Sequence, residues 1–472
     1  MIIGREKEQK QLEKLYASDQ SEFVALYGRR RVGKTYLIKE VFNDHFAFRH
    51  TGLQKAPKSK QLKEFAVSLR AAGMHDIPKL NDWYDAFNAL SEFLSSLPEG
   101  RKVVFIDELP WMDTHKSNIV SALEHFWNSW ANYRNDILLI VCGSATSWII
   151  KKIINNYGGL HNRLTRRITL SPFTLHECEL FATARNLGYT REQILETYMI
   201  LGGIPYYWSL LQRELSWSQN IDELFFASDA QLDGEFNALY AALFRHPEPH
   251  INIVKILGTK KVGLTRYEIV NILGEDTGGT LSTVLDELEQ CGFIRSYNAI
   301  GKEKKDTMYQ LIDNFTLFYF QFIQGSKLDS TFWSRTLRKP IYNAWSGLAF
   351  ERVCMQHVPQ IKAALGIAGV GSSIYSWTYR PKNSSETGAQ IDLLIDRDDK
   401  VIDICEIKFS HDIFTIQKDL DETLRRRLNL FVEKTNTRKA VRIVLICTYG
   451  LADNPYAGNV HNVVTMDHLF IN

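Results

Sequence analysis

The run Gly28-Arg29-Arg30-Arg31-Val32-Gly33-Lys34-Thr35 carries the spacing G-x-x-x-x-G-K-[ST]. Such a loop suits the phosphates of a nucleotide. Its glycines let successive backbone N–H groups curl around the phosphate oxygens, and Lys34 reaches the terminal ones. Thr35 offers a hydroxyl to Mg²⁺, and a helix following the loop presents its positive N-terminus. ATP with Mg²⁺ is the ligand this chemistry implies. A carboxylate should then follow at the end of another buried strand, and Val103-Val104-Phe105-Ile106-Asp107-Glu108 provides a pair. Asp107 is expected to hold Mg²⁺, usually through water, and Glu108 to polarise the attacking water. A third apolar run ends Val141-Cys142-Gly143-Ser144, which places Ser144 between the Mg²⁺ site and the γ-phosphate.

A second group of reactive residues lies far along the chain. Asp392 closes the apolar-flanked GAQID, and VIDICEIK ends in Glu406-Ile407-Lys408. Residues i and i+2 of a strand share a face, so Glu406 and Lys408 project together. If the two strands pair, Asp392 can lie beside them. Two carboxylates then bind a divalent ion, Mg²⁺ or Mn²⁺, that activates water, while the lysine orients it or steadies developing charge. Glu351, on the preceding helical stretch, is a further metal-ligand candidate. Arg425, Arg426 and Arg427 either contact phosphates or line a solvated helix face.

The elements that must position these groups are readable in outline. EFVALYG (22–28), KVVFIDELP (102–110) and DILLIVCGSA (136–145) are continuous apolar runs of the buried parallel type, and RRITLSPF (166–173) is a fourth. Helical spacing separates them, as in βαβ units, so residues 1–173 are expected to form a doubly wound parallel sheet at whose C-terminal edge ligands bind. Residues 174–249 read as a helical lid. Residues 250–325 read as three helices and a hairpin, the pattern of a winged-helix domain. Its third helix, TLSTVLDELEQ, holds Asp286, Glu287 and Glu289 and no Lys or Arg. A phosphate backbone would be repelled there, although Lys302, Lys304 and Lys305 sit at the hairpin tip. A packing or regulatory role between the flanking domains is therefore favoured. Residues 340–472 return to strands: SIYSWTYR, AQIDLLIDRD, KVIDICEIKF and VRIVLICTYG, with a helical stretch before the last.

GRRRVGKT, the opening Ile3-Gly4-Arg5-Glu6, FIDELPWM, CGSATSW and Gly202-Gly203-Ile204-Pro205 together resemble the archaeal-type ATPases, on the signal-transducing (STAND) side of the AAA+ superfamily, across roughly residues 1–245. The resemblance implies that Ile3 and Arg5 lie near the adenine and that Pro205 packs against the base. It also implies a γ-phosphate-sensing arginine, for which Arg163 competes with Arg166 and Arg167. An arginine acting in trans would require a homo-oligomer. The order of helix with Glu351, strand with Asp392 and strand with Glu406-x-Lys408 resembles the PD-(D/E)XK, restriction-endonuclease-like core. That DUF234-like domain often follows a winged helix in archaeal-type ATPases. Ile391 stands where the motif's name has Pro, and Gln417 and Lys418 fall where several such nucleases keep a polar helper.

Composition bounds the rest. The chain has 472 residues, 45% hydrophobic and 23% charged, which excludes a disordered or collagen-like chain. Lys and Arg total 56 against 54 Asp and Glu, a net charge of +2, so any DNA contact must come from local patches. Six cysteines are scattered singly in apolar surroundings, as reduced core thiols of a cytoplasmic protein would be. The N-terminus lacks the apolar core of a signal peptide, and no membrane partner is expected. The expected function is a Mg²⁺-dependent ATPase whose nucleotide state controls a nuclease-like domain. The alternative is an ATP-dependent switch or scaffold with an inactive nuclease-fold binding domain.

Overall fold

A computed structural model describes residues 2–155, 158–160, 162–274, 279–298, 300, 307–325, 329–379, 381 and 387–472. The hairpin-tip lysines Lys302, Lys304 and Lys305 lie outside the described residues. The chain divides into two compact units, Met1–Pro172 with Leu243–Arg245, and Phe173–Ala242 with His246–Asn472.

The first unit is built on β1 (Glu22–Tyr27), β2 (Phe48–Thr51), β3 (Lys102–Asp107), β4 (Ile137–Gly143) and β5 (Arg166–Thr169). They form one sheet in the order β2-β3-β4-β1-β5, and every pairing is parallel. All residues of β3 and β4 are buried, which is why both read as unbroken apolar runs. β2 is the strand the apolar pattern does not announce. Its sequence is FRHT and its burial alternates along the strand, as suits a short edge element. The helices Lys58–Ala72, Trp83–Ser96 and Ile119–Ser129 cover one sheet face, and Phe65, Trp83, Phe87, Phe126 and Trp127 form one core with Phe23 and Phe48.

The second unit holds the helical segment, the three-helix segment and the C-terminal sheet together. Side chains start its helices: Thr174 with Glu177, Thr190 with Gln193, Ser216 with Gln219 and Thr265 with Glu268 are reciprocal capping boxes. The helices Glu248–Gly258, Arg266–Leu273 and Gly279–Gln290 accompany a small antiparallel sheet of β6 (Leu264–Thr265), β7 (Ile294–Tyr297) and β8 (Met308–Leu311), in the order β6-β8-β7. The segment after it is core, not linker. Trp333 is fully buried, with ring centroids 5.1 Å from Phe318 and 5.4 Å from Trp345, and its backbone N–H donates to the Asp222 carboxylate at 2.7 Å. These contacts explain why stretches read as three domains in the sequence form one compact unit.

The C-terminal sheet runs β13-β12-β11-β10-β9, from β9 (Ser372–Tyr379), β10 (Ala389–Arg397), β11 (Val401–Lys408), β12 (Ala440–Cys447) and β13 (Val460–Thr465). It is mixed, with β9, β10 and β11 antiparallel and β11, β12 and β13 parallel. The helices Pro340–Gln356 and Lys418–Thr435 pack against it. All six cysteines are buried thiols outside any disulfide. Among the described residues, no helix is long and apolar enough to cross a membrane.

Candidate functional site

The loop after β1 is shaped by what its glycines omit. Gly28 has φ +146°, and a Cβ there would stand 2.2 Å from the Leu170 carbonyl oxygen, so only glycine fits between β1 and the chain leaving β5. Gly33, at φ +89°, caps the helix Lys34–Val41. Lys34 is buried, and its ammonium donates to the carbonyls of Gly28 at 2.9 Å and Arg29 at 3.0 Å. The cation is thereby held over its own loop. Arg29 is buried too, Val32 lies in the core, and Arg30 and Arg31 are half-buried.

The carboxylates of β3 arrive as the sequence suggests. Thr35 Oγ1 donates to Asp107 Oδ2 at 2.7 Å, which joins the loop to the strand two places away in the sheet. The N–H of Glu108 donates to Asp107 Oδ1 at 2.9 Å, and Glu108 itself adopts a left-handed φ of 48°. Its Oε2 accepts from the Ser144 N–H at 3.1 Å and from Ser144 Oγ at 2.9 Å. Burial raises the Glu108 carboxyl above its ordinary range, against the lowering influence of Lys34 and of Ser144. A hydroxyl and a carboxylate oxygen converging beside a buried ammonium form a hard-oxygen set that suits Mg²⁺. Cys142, read only as a core thiol, stands fully buried under this cluster. Burial and the neighbouring Asp107 charge push its thiol well up.

The remaining nucleotide candidates spread out. Ile3 is half-buried, while Arg5 is buried and its Nη2 donates to the Ser171 carbonyl at 2.6 Å, tying the N-terminal segment to the end of β5. Arg163 lies exposed in the turn before β5, and Arg166 and Arg167 are exposed on that strand. Pro205 opens the short helix Pro205–Ser209 in the second unit.

Of the C-terminal candidates, Glu351 and Asp392 share one basic partner, while Glu406 and Lys408 pair with each other. β10 and β11 pair with Leu393 opposite Cys405, and the pairing runs from there to Asp396 opposite Ile402, with Asp392 and Glu406 one residue beyond it on each strand. Glu351 joins from the helix Pro340–Gln356. Lys261 bridges them, its Nζ 2.8 Å from Glu351 Oε1 and 3.5 Å from Asp392 Oδ2. Burial, and then the Asp392 charge, raise the Glu351 carboxyl. Glu406 is paired on both oxygens, Oε1 with Lys408 Nζ at 2.8 Å and Oε2 with Arg427 Nη1 at 2.7 Å. Gln390 donates to Asp392 Oδ1. Arg425 pairs instead with Asp421 at 2.9 Å, and Lys418 with Glu422 at 3.8 Å, while Gln417 makes no capping bond. Nothing in the local sequence around Lys261 signals its place among these carboxylates, because the contact joins residues about ninety apart or more.

Comparison with known proteins bears on the first of these two sites. Residues 2–211 match a family described as an ATPase domain predominantly from Archaea. An uncharacterized protein of Methanocaldococcus jannaschii is 26% identical over 435 residues, covering 89% of this chain and 91% of its own. A Walker-type ATPase of Pyrococcus abyssi is similar at TM-score 0.49 and 17% identity, over 68% of this chain and 96% of that one. The ORC2 protein of Aeropyrum pernix, in its ADPNP-ADP complexes, is similar at TM-score 0.39 and 13% identity, over 75% and 95%. The segment 2–211, whose phosphate loop is joined to Asp107 at the end of β3, is thus similar to that archaeal family of ATPase domains.

Proposed function

We propose that the chain hydrolyses ATP at the C-terminal edge of β1, β3 and β4, and that nucleotide state governs a nuclease-like domain at the C-terminus. The observation that carries the first part is the Thr35–Asp107–Glu108–Ser144 chain of hydrogen bonds. Thr35 and Asp107 would hold Mg²⁺, which supplies charge neutralisation to the β- and γ-phosphates. Lys34 leaves the loop carbonyls to meet phosphate oxygens, and the backbone N–H groups of residues 29–33 cradle them. Ser144 orients Glu108, whose carboxylate accepts hydrogen bonding from the attacking water. Ile3, Arg5 and Pro205 are assigned to the adenine, and Arg163 to the γ-phosphate. Glu108→Gln should lower kcat for ATP about a hundredfold or more while ATP still binds. Unchanged turnover would remove Glu108 from the mechanism.

For the second part, Glu351, Asp392 and Glu406 would hold Mg²⁺ or Mn²⁺, and Lys408 would orient the water or steady developing charge. Support comes from two of these carboxylates already converging on one cation, the Lys261 ammonium. DNA cleavage with Mn²⁺, lost in Asp392→Ala, is the expected result. The second reading is a switch whose C-terminal domain binds without cutting. It is favoured by the basic partner that each of the three carboxylates already has. Nucleic-acid binding without cleavage under either metal would select it.

A further inference from the structure

Lys261 comes from outside the strand motif. It follows the helix Glu248–Gly258 and precedes β6, yet its ammonium stands between Glu351 and Asp392 at 2.8 and 3.5 Å. Its backbone is fixed, since its carbonyl accepts from Gln310 Nε2 at 2.6 Å and from Arg352 Nη2 at 3.0 Å. Its side chain is 39% exposed, so only the stem has freedom to rotate. The pairing is also incomplete. Glu351 Oε2 is buried and accepts no hydrogen bond among the described residues, although a buried carboxylate oxygen left so is costly. A monovalent ammonium therefore serves a site with carboxylate capacity to spare. Beside it opens a cavity of about 660 Å³, lined by Lys261 together with Lys255, Lys260, Gln324, Trp345 and Arg352.

We propose, on the reading that Glu351, Asp392 and Glu406 form a divalent-cation site, that Lys261 is the displaceable resident cation of that site. Its ammonium takes the position of the metal, and metal loading requires the side chain to swing off Glu351 towards the solvent that already reaches it. The two cations compete for the same oxygens, so they cannot be bound there together at full strength. Because Lys261 belongs to the three-helix segment and not to the sheet, a shift of that segment changes the affinity of the site for metal. The nuclease-like centre is then closed by default, and displacing one lysine opens it.

The test is calorimetric titration of Mn²⁺, without nucleotide or nucleic acid, into the full chain and its Lys261→Met and Lys261→Met/Asp392→Asn variants. Methionine keeps the apolar stem. Lys261→Met should bind Mn²⁺ at least about tenfold more tightly than the unaltered chain, and the double variant should lose the gain. Equal affinity in the unaltered chain and Lys261→Met overturns the proposal and leaves the metal site standing. Absence of Mn²⁺ binding in all three removes the metal site itself, and Lys261's role with it. Thermal unfolding guards against a folding defect: Mn²⁺ should raise the Tm of Lys261→Met more than that of the unaltered chain, and an equal rise counts against displacement.

Discussion

At the scale of single residues, the two glycines of the phosphate loop separate two physical costs. Alanine at Gly33 meets no atom within 4 Å and has only the left-handed backbone to contend with, about 1–2 kcal/mol. Alanine at Gly28 adds a collision with the Leu170 carbonyl, which belongs to the backbone and cannot rotate away. Gly28→Ala should therefore destabilise the chain by clearly more than Gly33→Ala, as measured by urea unfolding. Equal losses would mean that the approach of Leu170 does not constrain the loop. The residues whose chemistry dictates both type and spacing were the ones the sequence singled out, and of these Thr35, Asp107, Glu108 and Ser144 are linked by hydrogen bonds. Lys261, which escaped, has no motif, and its place among the carboxylates arises from which helix and strand lie beside it. Arg427 stands between the two cases. It was visible as one of three arginines, but only the helix phase distinguishes it, turning Arg427 to Glu406 and Arg425 to Asp421.

At the scale of elements, apolar runs marked the central strands because a strand buried on both faces has no polar position to interrupt it. β2 and β13 are short edge strands with exposed positions, and they lack that mark. The pairing of β10 with β11, which the sequence left as a condition, is present from Leu393 opposite Cys405 to Asp396 opposite Ile402. The joining of helices was not inferable. His357 at the end of the helix Pro340–Gln356 is buried, accepts from the Leu175 N–H at 3.0 Å and donates to the Val353 carbonyl at 2.8 Å. It thus satisfies a first-turn donor of the helix Leu175–Ala184, far away in sequence. His357→Phe should cost about 1–3 kcal/mol by stranding that donor. His357→Gln, whose amide can still accept, should cost less. Equal losses in urea unfolding would attribute the effect to packing alone.

At the scale of the whole molecule, a nearly balanced net charge leaves pH sensitivity to a few buried groups. Burial lowers His357 to about 4, as it does His50 in the first unit, so an unfolded chain takes up protons below about pH 6.5 that the folded chain refuses. Stability contributed this way falls as pH drops from about 6.5 towards 4. Glu196 works in the opposite sense. It is buried in the second unit against Tyr342, which donates to it, with Glu192 close by and His411 stacked on the Tyr342 ring. Burial first, and then the Glu192 charge, raise its carboxyl to about 7, against the lowering effect of the Tyr342 hydrogen bond. The folded chain therefore holds a proton that the unfolded chain releases near its ordinary value. The stability from Glu196 is complete below about pH 4.5 and is lost as pH rises through 7. Glutamine imitates the protonated acid at every pH. Glu196→Gln should accordingly match the unaltered chain at pH 5 and exceed it at pH 8 by about 1–3 kcal/mol in urea unfolding. A variant no more stable at pH 8 than the unaltered chain would show that the fold does not hold Glu196 in its protonated form.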